Sequence, residues 1–247
     1  MRWLFYLLKC LLGGFVAMQM YFVIQIGLWV ALDPSSTAFQ RAERWRLCGL
    51  SWSCPVQSSW VPYDKISSNL KRAVLVSEDD IFFQHMGVRF DDMKKAWAKN
   101  SQLNQQGGSK SKTALRGGST ITQQLAKNLF LSSEQNYFRK GLELIITGLL
   151  EVMLPKQRLY EIYLNSVEWG EGIFGIGAAS QHYYGTKPAS LDREQAAALA
   201  SALPAPKCFD KVQYCRKANI HFPTRQDFIL ENMDRVALAP IQKPKAR

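Results

Sequence analysis

Histidine is scarce, with 3 in the chain, and the 5 cysteines sit at spacings that fit no zinc pattern well, so metal binding is the weaker reading of both. No segment alternates apolar and polar residues convincingly, and no internal repeat is present. At 247 residues, 47% of them hydrophobic, there is room for one sizeable core and an anchor but not for two catalytic domains. Carboxylates vanish between Asp92 and Glu134. That interval holds Lys94, Lys95, Lys99, Lys110, Lys112, Arg116 and Lys127, the sharpest imbalance in a chain of net charge +11. Such a field draws anions: nucleic acid, anionic lipid headgroups or a phosphorylated substrate. Charge alone does not choose among them.

Charge of either sign is missing from residues 10–32. At about 1.5 Å per residue this run is long enough to cross a hydrocarbon core of about 30 Å, so residues 1–32 read as one transmembrane helix. A signal peptide is the competing reading, but the apolar region is too long and no small-x-small site precedes Asp33. Gln19 and Gln25 are tolerable in a span and could face a partner helix. Arg41, Arg44 and Arg46 rival Arg2 and Lys9, and only the cation-free flank before Arg41 favours the amino terminus inside.

Residues 33–62, rich in Ser, Pro and Trp, read as a connector on the domain or membrane surface, with Trp45, Trp52 and Trp60 suited to an interfacial belt. Four cysteines form two close pairs, Cys48 with Cys54 and Cys208 with Cys215. In an oxidising compartment these allow two local disulfides or bridges between the pairs.

The stretch 73–87, AVLVSEDDIFFQHMG, organises the rest. An apolar run ends abruptly in Glu78 and Asp79, and Phe82, Phe83 and His85 follow closely. That sets a carboxylate at the edge of a core, the environment a general acid or base needs. The plain alternative is acidic residues in a helix's first turn. A helix capped near Ser67 or Ser68, with Leu70 and Val74 inward, should deliver Glu78 to a cleft. Residues 90–97 read as another short helix, and residues 100–118 as a polar, glycine-rich, mobile loop. GGSTITQQLAKN follows from Gly117, where Ser119 or Thr120 can cap a helix whose free amides meet an anion. Thr120, Gln124 and Lys127 recur on one helical face. A helix from Tyr137 to Leu154, ended by Pro155, is apolar almost all round and should be central and buried. It contains Glu143, four residues after Arg139, and Glu151, which needs a partner. Residues 157–165 form a further helix. Residues 192–203 form another with an Asp192 to Gln195 capping box. The last forty residues should be irregular and partly mobile.

Four blocks stand in order: ED-x-x-F-x-x-H-x-G from Glu78, GGSTITQQLAKN, RKGLE from Arg139, and EIYLNSVEWGEGIFG from Glu161. Together, over residues 60–209, they resemble the peptidoglycan glycosyltransferases of glycosyltransferase family 51, in a form with no penicillin-binding domain. The resemblance implies a lysozyme-like, mostly α-helical domain with a small membrane-facing lobe, at residues 60–210 with an extension at 211–247, after a connector at 33–59. It implies polymerisation of lipid II into glycan strands with release of undecaprenyl pyrophosphate, outside the inner membrane. Glu78 would be the general base and Glu143 the second essential glutamate. Ser119, Lys127, Arg139 and Lys140 would hold the pyrophosphate, and Asp79, Phe82, His85, Thr120, Gln123, Gln124 and Asn128 match motif positions, His85 as a brace. No cofactor is required, with help from a divalent cation left open. Partners would be lipid II, the growing strand, the membrane and other cell-wall synthesis proteins, but no nucleic acid. One departure stands out: family members usually carry an arginine where this chain has Gln135, so Lys110, Lys112 or Arg116 would substitute. The competing readings are a lysozyme-type lytic enzyme and a non-enzymatic scaffold. The basic face and the anchor weigh against the first, and intact Glu78 and Glu143 against the second.

Overall fold

An uncharged run with no proline lets the backbone ladder run on uninterrupted, and α1 spans Arg2–Leu28. The computed structural model describes residues 2–49, 51, 54–89, 119–132, 134, 136–217 and 221–238. Most of α1 is exposed, but its last turns bury Phe22 and Ile26, and Trp29 follows them inward. The Phe22 and Trp29 rings lie 5.0 and 5.1 Å from that of Phe130. Arg158 then fixes the exit of the helix, donating to the carbonyls of Trp29 (2.9 Å) and Leu32 (2.7 Å) and to the Asp33 carboxylate (2.8 Å). The apolar helix is therefore bolted to the domain at one end.

Residues 33–59 are more than a connector. Thr37 and Gln40 form a capping box that starts α2 (Ala38–Cys48). Glu43, buried on this helix, pairs with Arg46 at 2.6 Å and Lys207 at 2.7 Å, while Arg46 also reaches Glu171 at 2.6 Å. Burial works against the Glu43 carboxylate, but these bonds outweigh it and hold its pKa below the usual value. The polar spacing that reads as a surface segment is in part an ion-paired inner face. β1 (Gln57–Ser58) then pairs parallel with β3 (Ile173–Phe174), which pairs antiparallel with β2 (Glu168–Gly170). Strands of two or three residues are too short to show alternation, so the sequence hides this sheet. The cysteines pair locally, Cys48 with Cys54 and Cys208 with Cys215. Trp45 is exposed, whereas Trp60 is half-buried under the Arg158 guanidinium.

The core forms around α3 (Ser68–Glu78), started by Ser67, which accepts the Leu70 amide at 3.1 Å. Its apolar run, Ala73 to Val76, is buried on every side. Around it or beside it lie α4 (Ile121–Phe130), α5 (Tyr137–Met153), α6 (Lys156–Ser166), α7 (Gly175–Tyr184), α8 (Arg193–Ala202), α9 (Pro206–Asp210) and α10 (Phe222–Asn232). α4 packs on α2, α5 and α6, and α3 is gripped between α8 and α10. The alanine-rich α8 brings α3 close, which fits its reading as a packing helix.

Two expectations need correction. α5 is not buried all round: Ile146 and Leu150 face the core, but Phe138 and Val152 are 72% and 80% exposed, and α1 lies along the same helix. An all-round apolar pattern states that every side wants an apolar neighbour, not that the protein core supplies each one. The described part of the final segment is not all irregular either, because His221 accepts the Thr224 amide and starts α10, a helix whose Ile229 is fully buried. Proline in its first turn costs no hydrogen bond there. The expected helix at 90–97 and loop at 100–118 lie outside the described residues, as does Gln135.

Candidate active site

α3 ends at Glu78 because Asp79 turns the chain out of helical geometry (φ −163°, ψ 83°), and this puts the glutamate at the helix's open end. Its carboxylate, 11% exposed, receives hydrogen bonds at both oxygens. Gln124 Nε2 on α4 donates to Oε2 at 2.9 Å, and Arg225 Nη2 on α10 donates to Oε1 at 3.3 Å. The same Arg225 nitrogen meets Ser77 at its carbonyl (3.1 Å) and hydroxyl (2.9 Å). Ser77 Oγ lies 2.9 Å from both Glu78 Oε1 and the Ala200 carbonyl, with one hydrogen to give. Behind Gln124, the Tyr163 hydroxyl donates to the amide oxygen at 3.1 Å, which turns the NH2 toward Glu78. Full burial holds the Tyr163 phenol protonated, well above its usual range, with the nearby Glu78 charge adding to it, so it remains a donor.

Asp79 does structural work one residue away. Buried, it accepts His85 Nε2 at 2.9 Å and the Ile121 amide at the start of α4 at 3.2 Å. The Gly87 amide donates to His85 Nδ1 at 3.0 Å, so Nε2 carries the proton that Asp79 receives. Thr120 caps α4 reciprocally with Gln123 and donates its hydroxyl to the Gly87 carbonyl at 2.6 Å. Gly87 has φ +77° and no room, since an added Cβ would lie 2.7 Å from Thr147 Cγ2. Phe82 is fully buried against Tyr160 and under the Lys156 ammonium. Lys156 pairs at 2.8 Å with Glu151, which also accepts the Thr122 hydroxyl at 2.5 Å, supplying the partner that glutamate needs.

Beyond Gln124 opens a cavity of about 230 Å³ between α4, α5 and α2. Ser119, Gln123, Gln124 and Lys127 line it from α4 and its approach, and Arg139, Lys140 and Glu143 from α5. Glu143 is 3% exposed and holds both α5 cations, Arg139 at 3.0 Å and Lys140 in a short contact. Burial pulls the Lys127 ammonium below the usual lysine pKa; Glu143 and Glu78 resist the shift, and Arg139 and Lys140 add to it. Three cations against one carboxylate form a site for an anion with more than one charge; the first amides of α4 are not left free for it, because Asp79 takes that of Ile121 and the Thr120–Gln123 cap takes those of Thr120 and Gln123. One amide side chain joins the anion site to Glu78.

A sequence model of the family described as Transglycosylase matches residues 50–234. The biosynthetic peptidoglycan transglycosylase of Cupriavidus metallidurans is 58% identical over 239 residues, which cover 96% of this chain and 99% of that protein. The chain belongs to the transglycosylase family. Proteins of the same name from Ralstonia nicotianae (52% identical over 239 residues, 96% and 99% covered) and Burkholderia thailandensis (50% over 209 residues, 85% and 78%) are further relatives.

In this transglycosylase the site residues expected from sequence divide into two sets. Glu78, Gln124, Ser119, Gln123, Lys127, Arg139, Lys140 and Glu143 come together at the cavity and its rim. Asp79, His85 and Thr120 hold the Glu78 loop to α4, Phe82 packs against Tyr160 and Lys156 of α6, and Asn128 is buried outside the cavity lining. Thr120 does not share the open face of Gln124 and Lys127, because capping turns its side chain back toward the backbone. Arg225, Tyr163 and Phe39 escape sequence reasoning. The first two act through Glu78 and Gln124, and Phe39 lines the cavity from α2. Only Tyr163 carried a signal, as part of the EIYLN block.

Proposed function

We propose that this transglycosylase polymerises lipid II into linear glycan strands, with Glu78 as general base and the cavity as the site of the leaving diphosphate. Glu78 takes the proton from the 4-hydroxyl of the acceptor's N-acetylglucosamine as that oxygen bonds to C1 of the donor's N-acetylmuramic acid. The C1–phosphate bond breaks on the opposite face, inverting the carbon and releasing undecaprenyl pyrophosphate. Base assistance of this kind accelerates a reaction by about 100-fold to 10,000-fold. Lys127, Arg139, Lys140 and Ser119 take up the charge on the diphosphate as it leaves, in a half-dry site where each contact counts for more. Glu143 keeps Arg139 and Lys140 side by side on α5. The observation that carries this reading is Gln124, which lines the anion cavity while its amide donates to the Glu78 carboxylate, so base and leaving-group site are one side chain apart.

The long apolar α1 anchors the chain in the inner membrane, and the exposed apolar side of α5 rests on the same bilayer. The two local disulfides suit a domain in the periplasm. On this reading the cavity's own cations carry the charge compensation and no cofactor is required.

Purified lipid II in detergent, incubated with the wild type and with Glu78→Gln, tests the proposal beside a digestion of preformed un-crosslinked glycan. Strands from the wild type and none from Glu78→Gln are expected. Cleavage of the preformed glycan without strand growth would mean a lytic enzyme instead, and neither activity would mean a scaffold.

A further inference from the structure

Among the described residues the walls of the anion cavity are polar or charged with one exception, Phe39. This residue lies in the first turn of α2, outside the 50–234 stretch that carries the family match. Its ring is half-buried, with Lys127 Nζ 5.6 Å from the centroid.

The ring is held in place by its own helix. The Thr37 and Gln40 capping box fixes the start of α2, the Glu43 pairs with Arg46 and Lys207 hold its middle, and the Cys48–Cys54 disulfide closes its end. Upstream, Arg158 clamps the carbonyls of Trp29 and Leu32. Phe39 therefore stands at a fixed place between the end of the apolar helix α1 and the cavity.

A diphosphate joined to a hydrocarbon chain brings charge and carbon to one site. The cations of α4 and α5 meet the charge, and among the described residues Phe39 is the one apolar side chain in the cavity lining. We propose that Phe39 reads the hydrocarbon next to the diphosphate, packing against the first isoprenoid carbons and so favouring a prenyl diphosphate over a bare one. The inference rests on the reading that the cavity holds a diphosphate. It makes the juxtamembrane helix part of the substrate site. A few methylene groups covered by an aromatic ring correspond to about a tenfold preference.

Calorimetric titration of the full chain in detergent, with inorganic pyrophosphate and with geranyl diphosphate, tests it on wild type, Phe39→Ala and Phe39→Leu. The wild type should bind geranyl diphosphate about tenfold more tightly than pyrophosphate. Phe39→Ala should lose most of that preference while its pyrophosphate affinity stays within about twofold, and Phe39→Leu should keep most of it. Thermal melting of each variant checks the fold. An equal loss for both ligands in Phe39→Ala would show that the ring acts only through Lys127, and an unchanged preference would show that it touches neither; each overturns the inference. If the wild type binds neither ligand, the diphosphate reading of the cavity falls, and this inference with it.

Discussion

Replacing Arg225 should slow the reaction without weakening the substrate's hold. One nitrogen of this side chain meets Glu78 Oε1 at 3.3 Å and both polar groups of Ser77, so it fixes the base and the last turn of α3 together. Hydrogen bonds to charged groups contribute about 1.5–3 kcal/mol. Here the contact is long and the guanidinium is 31% exposed, so solvent screening keeps the loss near the lower end, about 1.5–2 kcal/mol. That corresponds to a fall of roughly tenfold to thirtyfold in kcat for Arg225→Ala. KM for lipid II should move little, because Arg225 does not line the anion cavity. Arg225→Lys should recover part of the rate. Steady-state polymerisation on fluorescent lipid II gives both constants, and thermal melting reports what α10 loses as a support. A merely structural arginine would lower melting temperature and leave kcat per folded molecule unchanged. Wild-type kcat in a folded Arg225→Ala protein would refute the positioning role.

Lys127→Met should raise the Kd for inorganic pyrophosphate by about tenfold to a hundredfold, since a partly desolvated cation is worth more than a surface one; unchanged titration curves would dissociate Lys127 from the anion. Because burial lowers the Lys127 pKa, wild-type pyrophosphate binding should weaken on the alkaline side before pH reaches the ordinary lysine value of 10.5, a decline absent in Lys127→Met. Gly87→Ala forces a Cβ into Thr147 and Glu151 at a positive φ, and should cost about 2–4 kcal/mol, seen as a melting temperature about 5–12 °C lower. Burial pushes the Glu168 carboxyl up to about 7 despite Lys207 nearby. A raised carboxyl pKa favours the folded state at low pH and loses that advantage as pH rises from 4.5 to about 7. Glu168→Gln should flatten this decline and melt higher than wild type at pH 8, by an amount worth up to about 3 kcal/mol; parallel melting curves at all pH values would contradict it.

What the sequence shows of this site is what lies close along the chain. Glu143 with Arg139 and Lys140 follows from helical spacings of four and three, and the structure makes both pairs. The abrupt end of the apolar run before Glu78 marks a carboxylate at a core edge, and Glu78 is there, 11% exposed. Periodicity fails where position depends on another element. Nothing in HFPTRQDFILEN says that Arg225 will cross to α3, and Phe39 reads as connector because α2 shows its inner face only when Lys207 and Glu171 arrive from elsewhere. Thr120 illustrates a different failure. Helical spacing places it with Gln124 and Lys127, but an N-cap lies outside the helical backbone, and its hydroxyl turns to Gly87. For α5, composition gives apolar neighbours all round, and only packing reveals that the core covers one side.

The most direct test of the division between base and anion site is to measure lipid II binding and turnover in the same two variants. Glu78→Gln should bind lipid II with near wild-type affinity and form no strands, because the amide replaces the base but leaves the cavity intact. Lys127→Met should lose affinity, and its residual turnover should recover as lipid II is raised. If Glu78→Gln instead polymerises at the wild-type rate, or both variants lose binding alike, Glu78 is not the base and the two-part site does not exist.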